Sequence, residues 1–342
     1  MRAKYQRSPV FSKGFRERLT APGGGIIPTG MKSAPVQVWL PAISAVWLWL
    51  ASGTPGRAET FTIATYNVEN YLDTATATRP AKSDAARAQV RRGILALHPD
   101  ILALQEIGAP SALRELQSAL QTAGLPLPYA EHLTGFDTNI HVAVLSRFPS
   151  AARTPHTNDD FLLGGRRYHV SRGFAELEFQ ITPGFRLTLL VAHLKSRRAI
   201  PSADEGELRL AEARILRQIV DARLATNPAI NLVVAGDLND TPDSPSTLAL
   251  MGKGRGRLVD TRPAEDPAAE GPPAGSDAGE RRITWTHHFA RDDTFSRIDY
   301  LLLSRGMADH WIAARSRVLR IDHWGVASDH RPVLATFDTE AR

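Results

Sequence analysis

Short apolar or alternating runs recur between residues 60 and 338, and their length and content of Val, Ile, Leu and Phe are typical of β-strands. The first run, TFTIATY at 60–66, alternates Phe61, Ile63 and Thr65 and therefore predicts a strand with one apolar face. The other predicted strands are ILALQ at 101–105, IHVAVLS at 140–146, FAELEFQ at 174–180, RLTLLVA at 186–192, NLVVAGD at 231–237, IDYLLLS at 298–304 and PVLATF at 332–337.

Stretches between these strands carry apolar residues at helical spacing. One predicted helix opens near Ser83, and a longer one covers about residues 203–224. At the start of the longer helix, Ser202 and Glu205 match a capping box. The apolar positions are Val90, Ile94 and Leu97 in the first helix, and Leu208, Ala211, Ile215 and Ile219 in the second. At least eight strands and at least three helices are expected.

One pair of strands has a clear connection. FAELEFQITPGFRLTLLVA reads as a β-hairpin that turns at Pro183 and Gly184. Hairpins combined with helical crossovers predict mixed sheets with helices outside, so the natural packing is an α/β sandwich of two sheets. In contrast, residues 263–280 contain Pro, Ala, Gly and acids without larger aliphatic side chains and are predicted to form a mobile surface loop.

The N-terminal region does not fit this pattern. From Met31 the chain has an early Lys, an apolar run at 38–51 and then small residues, which is the anatomy of a signal peptide over residues 31–58. The run is shorter than the roughly 20 residues that span a bilayer, so a cleaved leader is favoured over an anchor. Residues 1–30 are not expected in the mature protein, because translation is predicted to start at Met31. Residues 59–342 are expected to form a single domain.

Composition narrows the possible chemistry. The 342 residues contain no cysteine, which excludes disulfides, thiolate metal sites and cysteine nucleophiles. The formal charge of +5 is concentrated at the N-terminus, where residues 1–58 hold 8 Lys or Arg and 1 acid. The remainder of the chain has 33 basic and 35 acidic residues. Any attraction for a phosphate polymer must therefore come from a local Arg patch.

Polar side chains concentrate at the ends of the predicted strands. Singly, each has an ordinary explanation as a turn residue, a solvated charge or a hydrogen-bonded histidine. In a layered α/β fold, however, strand ends on one side gather at one crevice. Asp299 lies within an apolar strand and should be buried, so it needs a partner, for which His330 is the candidate. The polar set is Asn67, Glu106, His193, Asp237, Asn239, Asp299, Asp329 and His330.

These residues lie in six motifs that occur in a fixed order. The motifs are TYNVEN, LALQEI, AHLKS, GDLNDTP, RIDYLLLS and SDHRPV. Together, over residues 60–338, they resemble the endonuclease/exonuclease/phosphatase superfamily. The resemblance implies a deoxyribonuclease I-like fold, which is a four-layer α/β sandwich of two mixed, mostly antiparallel sheets packed face to face with helices outside. It also implies hydrolysis of phosphate esters with a divalent cation.

The resemblance implies a metal site made of oxygen ligands. Glu106 is the expected principal ligand, with Asn67 beside it and Asp329 either completing the site or supporting the ligands from behind. Carboxylate and amide oxygens suit Mg²⁺ or Mn²⁺, and Ca²⁺ is possible. A tight zinc site is not expected, because cysteine is absent and the histidines of AHLKS and SDHRPV do not have a metal-ligand spacing such as HExxH.

The resemblance also implies roles for the remaining polar residues. Asp237 activates the attacking water or handles the proton of the leaving group, and Asn239 holds the phosphate. His193 and His330 flank the scissile phosphate, with Asp299 orienting His330 and keeping it charged. Candidate contacts to the substrate are Arg147, Lys195 and Arg197, along with the Arg pairs at 166–167 and 197–198.

The sequence does not identify the substrate. An exported, monomeric nuclease acting on DNA or RNA is the leading expectation, without stable membrane insertion after leader cleavage and with a periplasmic or extracellular location. A phosphodiesterase or phosphatase acting on lipid head groups or small phosphate esters is the alternative. No exposed aromatic hairpin of the kind that inserts into a membrane is expected, with WTHHF at 285–289 as the segment that calls for caution. A catalytically silent binding module is disfavoured because no acid or histidine of the polar set is missing. Calcineurin-like phosphoesterases are disfavoured because their Asp-x-His and Gly-Asn-His elements are absent.

Overall fold

The computed structural model describes residues 59–265 and 284–340. The predicted leader, the predicted start at Met31 and most of the predicted loop at 263–280 lie outside these residues. Among the described residues, no helix is both long and apolar enough to cross a bilayer.

The described chain alternates strands and helices over its whole length. The strands are β1 (Thr60–Tyr71), β2 (Ile101–Ile107), β3 (Tyr129–Leu133), β4 (His141–Ser146), β5 (Ser150–His156), β6 (Asp160–Leu163), β7 (Arg166–His169), β8 (Phe174–Thr182), β9 (Phe185–His193), β10 (Leu232–Asp237), β11 (Val259–Asp260), β12 (Ala264–Glu265), β13 (His287–Phe289), β14 (Thr294–Ser296), β15 (Asp299–Leu303), β16 (Arg317–Val318) and β17 (Val333–Asp338). The helices are α1 (Asp84–Leu97), α2 (Pro110–Thr122), α3 (Glu205–Thr226), α4 (Pro245–Met251), α5 (Arg305–Ala308) and α6 (Trp324–Ala327).

The strands form two large sheets and two small hairpins. The seven-stranded sheet has the order β12-β16-β17-β1-β2-β4-β3, and the six-stranded sheet has the order β11-β15-β10-β9-β8-β5. Strands β1 and β2 are parallel, as are β9 and β10, whereas most other neighbours are antiparallel. Strands β6 and β7 form one separate hairpin, and β13 and β14 form the other.

Three apolar layers hold the fold together. Side chains of both sheets, such as Phe61 and Leu189, meet in a central core. Helices α1 and α2 cover the outer face of the seven-stranded sheet, and α3 and α4 cover that of the six-stranded sheet. Because each sheet buries one face against the other sheet and one against helices, the architecture is a four-layer α/β sandwich. This confirms the predicted fold class.

All eight predicted strands and the predicted hairpin are present, but their limits differ in places. Strand β1 continues to Tyr71, so Asn67 lies inside the strand rather than after it. Strands β8 and β9 flank a turn at residues 183–184, as predicted. Ala264 and Glu265, which begin the predicted loop, instead pair with β16. Hydrogen bonding between backbones does not require an aliphatic side chain, and composition therefore missed this pairing.

The predicted start of α3 is wrong. The helix is capped by Asp204, whose side chain accepts a 2.9 Å hydrogen bond from the backbone N–H of Glu207, and not by Ser202. Asp and Ser are comparable N-caps, so two candidates two residues apart are not separated by local sequence. The buried face is also displaced from the predicted stripe. Its fully buried members are Leu208, Arg209, Glu212, Ala213, Leu216 and Val220.

Candidate active site

Three neighbouring strands of the six-stranded sheet bring polar residues into one row. In the pairing register, His193 of β9 lies opposite Asp237 of β10, and Asp237 lies opposite Asp299 of β15. Each of these residues is two positions along its strand from a residue of the central core. His193, for example, is two positions after Val191. The three polar side chains therefore point between the sheets, and all are at most 2% exposed.

Glycine is required where this row forms. Gly236 has a φ of 146°, and a Cβ added there would lie 1.9 Å from the carbonyl oxygen of Ala192 in β9. Any larger residue would push β10 away from β9 and displace Asp237 from His193. The close approach of β10 to β9 therefore explains why a glycine precedes Asp237 in the GDLNDTP motif.

The seven-stranded sheet contributes Asn67 to the same position. Asn67 lies on the inward face of β1, and its amide donates a 3.0 Å hydrogen bond to Oδ2 of Asp237 across the space between the sheets. Its backbone carbonyl accepts a 2.7 Å hydrogen bond from the Ser328 hydroxyl, which ties the segment before β17 to β1. The site is therefore formed where the inner faces of both sheets reach the same edge.

His330 completes the row from the segment before β17. Its Nδ1 lies 2.9 Å from Oδ2 of Asp299, as the sequence predicted, and its Nε2 lies 3.7 Å from Oδ2 of Asp237. On the other side of Asp237, Nε2 of His193 is 3.5 Å from the same oxygen. One carboxylate oxygen thus faces two histidines and the Asn67 amide.

Glu106 reaches the crevice because β2 is irregular. Regular alternation would send Glu106 to the outer face, since Gln105 follows the inward-facing Ala103. Glu106 instead has a φ of 63°, and the pairing of β2 shifts register around it. Such a bulge redirects one side chain. As a result, Oε1 of Glu106 lies 4.0 Å from Nε2 of His193.

Several other residues near the crevice have left-handed backbone conformations. Glu69, Asn70 and Asn239 have φ values of 41°, 51° and 55°. Non-glycine residues adopt this region at an energetic cost and do so mainly where surrounding contacts hold them. Asn239 is held by its amide, which donates 3.0 Å to the carbonyl oxygen of Leu194, and by its N–H, which donates 2.8 Å to Asp237.

The three central titratable groups are held in different protonation states. Burial lowers the pKa of His193 well below its usual value, and nearby positive charges lower it further, so this imidazole is neutral. Burial also opposes the charged form of His330, but Asp299 and Asp237 outweigh it and hold the pKa of His330 well above its usual value. Burial raises the pKa of Asp237 to about 7, opposed by His330 and reinforced by Asp299.

Beside this row lies a group of carboxylates that sequence analysis only partly found. The pKa of Glu69 is raised by burial, by the charge of Asp329 and, to a smaller extent, by the charge of Glu106. The positive charge of Lys82 lowers this pKa but does not outweigh the other effects. The Lys82 ammonium donates 2.7 Å to the carbonyl oxygen of Glu69, and Arg79 lies 3.6 Å from Glu106. The missed acid, Glu69, lies two residues after Asn67 in the TYNVEN motif, so its spacing was the available signal.

The predicted ligands supply oxygen donors of the kind that a hard divalent cation prefers, although Glu106 and Glu69 are not in the tight donor clusters of the described residues. Glu106, Asp329 and the newly found Glu69 supply carboxylate oxygens, and the Asp329 side chain is 41% exposed. Asn67 Oδ1 accepts a hydrogen bond from the backbone of Glu69 and has a second lone pair. Concentrated carboxylate charge beside solvent suits Mg²⁺ or Mn²⁺. Among the described residues, the closest clusters of acids and histidines are Asp237, Asp299 and His330, and His287, Asp329 and His330.

The three predicted substrate contacts differ in their position relative to the crevice. Arg197 is 49% exposed and donates 3.2 Å to the carbonyl oxygen of Asn239, so it borders the crevice. The Lys195 ammonium is bound to the carbonyl oxygens of Ser196 and Arg198. Arg147 is not brought to the site. It pairs with Asp100 before the start of β2, roughly 20 Å along the strand from Glu106.

An exposed aromatic hairpin borders the site, so the expectation that the chain has none is wrong. In β13 and β14, Phe289 is 42% exposed and Phe295 is 52% exposed. The Phe295 ring stacks on His288, and Trp285 packs against Phe295 and Trp324. Because β13 begins at His287, which lies 3.6 Å from Asp329, this aromatic surface adjoins the predicted metal ligands.

The fold is a deoxyribonuclease I-like sandwich, the architecture of a family whose members are phosphoester hydrolases. The chain belongs to the Endonuclease/Exonuclease/phosphatase family, whose model matches residues 64–330. This confirms the resemblance seen in the motifs. No curated protein matches the chain in a sequence comparison.

Solved structures agree with this fold. Sphingomyelinase C from Streptomyces griseocarneus has a TM-score of 0.55 and 20% identity, covering 82% of this chain and 99% of that chain. The human Nocturnin catalytic domain with bound sulfate anion has a TM-score of 0.56 and 17% identity, covering 81% and 94%. Truncated TDP2 from Caenorhabditis elegans has a TM-score of 0.51 and 19% identity, covering 81% and 97%. At these identities the similarity establishes the fold.

Proposed function

We propose that this protein is an exported, divalent-metal-dependent phosphodiesterase that cleaves nucleic acid. The observation that carries the proposal is the convergence of His193, Asp237 and His330 on one buried position beside the carboxylates of Glu69 and Glu106. A base, a charged donor and a cation site within one crevice are what hydrolysis of a phosphodiester requires. The predicted leader at 31–58 supports export.

Each residue at the row has a task that follows from its protonation state. Asp237 accepts the proton of the attacking water, because burial raises its pKa to about 7 and makes it a stronger base than an exposed Asp. Protonated His330 donates to a phosphoryl oxygen, with Asp299 holding its Nδ1. Neutral His193 and the Asn239 side chain border the other side of the phosphate.

The metal site supplies the remaining positive charge. When bound, Mg²⁺ or Mn²⁺ would neutralise charge that develops on the phosphoryl group. Glu106, Glu69, Asp329 and Asn67 would hold it. The Arg79 and Lys82 cations, which already neutralise part of this carboxylate group, orient the ligands.

A basic rim supports nucleic acid as the substrate. Arg197 and Arg198 are exposed beside the crevice, and Arg166 and Arg167 are exposed on the β6–β7 hairpin. That hairpin is joined to the same rim by a 2.6 Å hydrogen bond from the Tyr168 hydroxyl to the carbonyl oxygen of Ser202. Several phosphates along a polymer could therefore be bound on this side of the crevice. No net positive charge on the domain is needed for such a local patch.

The pH dependence should have two limbs. As pH rises through about 7, Asp237 becomes ionised and kcat/KM should rise, and at higher pH His330 loses its proton and kcat/KM should fall. Asp299→Asn removes the carboxylate that raises the pKa of His330, so the alkaline limb should move to lower pH. A full profile of kcat/KM for both proteins measures this. An unchanged alkaline limb in Asp299→Asn would refute the His330 assignment.

The exposed hairpin favours lipid head groups as a second candidate. Phe289 and Phe295 present aromatic rings beside the crevice, and one structural neighbour is a sphingomyelinase C. Amphipathic aromatic surfaces of this kind bind membrane interfaces. On a lipid substrate, the Arg197 rim would be unnecessary, while the hairpin would be required.

Parallel assays separate the two candidates. The purified protein should cleave plasmid DNA or RNA in Mg²⁺ or Mn²⁺ and leave sphingomyelin vesicles unchanged. Arg197→Ala should weaken nucleic-acid binding and reduce the slope of log affinity against log salt by about one, as expected for one lost phosphate contact. Arg153→Ala, which removes an exposed arginine from strand β5, is the matched control. Sphingomyelin turnover with intact nucleic acid, abolished by Phe289→Ser, would reverse the ranking.

A further inference from the structure

A second histidine is fixed beside the catalytic His330 by backbone pairing. His287, the first residue of β13, forms an isolated antiparallel bridge with His330. The N–H of the next residue, His288, donates 2.9 Å to the carbonyl oxygen of Asp329. Residues paired in this way hold their side chains about 5 Å apart at Cβ. The two imidazole rings accordingly have centroids 4.5 Å apart.

Asp329 lies between these histidines with one oxygen toward each. Its Oδ2 is 3.6 Å from Nε2 of His287, and its Oδ1 is 3.7 Å from Nε2 of His330. One donor atom from each of the three residues lies within 4.8 Å of the others. In a tetrahedral zinc site with bonds of about 2.0–2.1 Å, neighbouring donors are about 3.4 Å apart. Small side-chain rotations would therefore bring all three donors to zinc.

The surroundings also match a transition-metal site. Nδ1 of His330 is bonded to Asp299, which leaves Nε2 directed toward the cluster, and metal-bound histidines are usually oriented by such a carboxylate. His287 and Asp329 are partly exposed, at 16% and 41%, so an ion can enter and keep a water at its fourth position. Two imidazoles and one carboxylate favour zinc over the harder Mg²⁺.

We propose that His287, Asp329 and His330 form a zinc-binding site that inhibits the enzyme. Zinc at this position binds Nε2 of His330 and displaces its proton to solvent, so that His330 no longer donates to the phosphate, and it takes an oxygen of Asp329 from the Mg²⁺ or Mn²⁺ site. The binding site stands on the geometry alone, whereas the inhibition rests on the proposed function of His330. His287 is outside the hydrolytic machinery, so the site adds control without altering the chemistry.

Measurements of zinc binding test the site, and measurements of zinc inhibition test its effect on the enzyme. Both are made on wild type, His287→Asn and His288→Asn. Binding of ZnCl₂ is measured by calorimetry without substrate, and Co²⁺ is used as a spectroscopic probe of tetrahedral coordination. Hydrolysis is measured in saturating Mg²⁺ with increasing ZnCl₂. His288→Asn is the matched control, because His288 bonds to Asp293 at 2.9 Å and faces Phe295 rather than the cluster.

Wild type and His288→Asn should bind one zinc ion, show tetrahedral Co²⁺ bands and be inhibited by zinc. In His287→Asn, zinc should bind about 10–100-fold more weakly, because the loss of a metal ligand weakens binding at least as much as the loss of a residue hydrogen-bonded to a ligand. The zinc concentration for half inhibition should rise by the same factor. The Mg²⁺-dependent rate of this variant should stay unchanged. Absence of zinc binding in wild type, or equal zinc affinity in His287→Asn, would overturn the inference. Zinc binding without hydrolysis of any substrate would overturn the proposed function instead.

Discussion

Asp237→Asn is expected to reduce kcat by about 10²–10⁴-fold, the usual contribution of a general base. The amide has nearly the same shape but cannot accept the proton of the attacking water. Folding should not suffer. Burial raises the pKa of Asp237, so the folded state disfavours its charge at neutral pH, and a neutral side chain should leave the melting temperature equal or higher.

Turnover of the preferred substrate and thermal unfolding by circular dichroism measure these two effects. Asp243→Asn is the matched control, since it makes the same change on an exposed residue of the loop after β10 and should keep the wild-type rate. A near-wild-type rate in a folded Asp237→Asn protein would remove Asp237 from the mechanism. A large fall in both variants would point to damage of the loop instead.

Removal of divalent cations is expected to abolish activity. Lys82 and Arg79 neutralise part of the charge of the carboxylates at the site, so the ion should bind weakly and exchange readily. EDTA should therefore eliminate turnover, and Mg²⁺ or Mn²⁺ should restore it at roughly millimolar concentration, the weak end of oxygen-ligand sites. Glu106→Gln should need more metal for the same recovery, because it loses a carboxylate charge.

Glu131→Gln is the control for this series, because Glu131 is on the same sheet and forms an ion pair with exposed Arg153 at its surface. Metal titrations of turnover in wild type and both variants give the concentrations for half recovery. Activity that persists through extensive chelation, or that zinc alone restores, would contradict the metal assignment. Equal recovery curves for Glu106→Gln and wild type would remove Glu106 from the ligand set.

The layered fold could be predicted because its signals are local. The alternation of Phe61 and Ile63, the hairpin around Gly184 and the helical spacing of Val90 and Ile94 each lie within a few residues, and each predicted element is present. Family motifs then supplied the sheet arrangement. In α3, two candidate caps lie two residues apart, and the structure shows that Asp204 is the cap.

The site could be predicted as a set of residues but not as a geometry. Asp299 and His330 were paired by a simple rule, that a buried carboxylate needs a partner, and they lie 2.9 Å apart. Arg147 carries the same charge as Arg197, yet it lies beside Asp100 at the other end of the sheet. The sequence shows that a residue is an arginine. The end of the sheet at which that arginine lies depends on how the strands pair.

By itself, the sequence determined eight of the strands, the two helices it located, the family and most of the polar residues at the crevice, because periodicity, turn chemistry and motif order are short-range properties. Only the tertiary structure decided that a bulge turns Glu106 inward, that Asn67 and Asp237 meet across two sheets, and that His287 lies beside His330. The two contacts join residues 170 and 43 positions apart, and the bulge depends on one irregular φ angle. They are selected by the packing of whole sheets, and no local pattern records them.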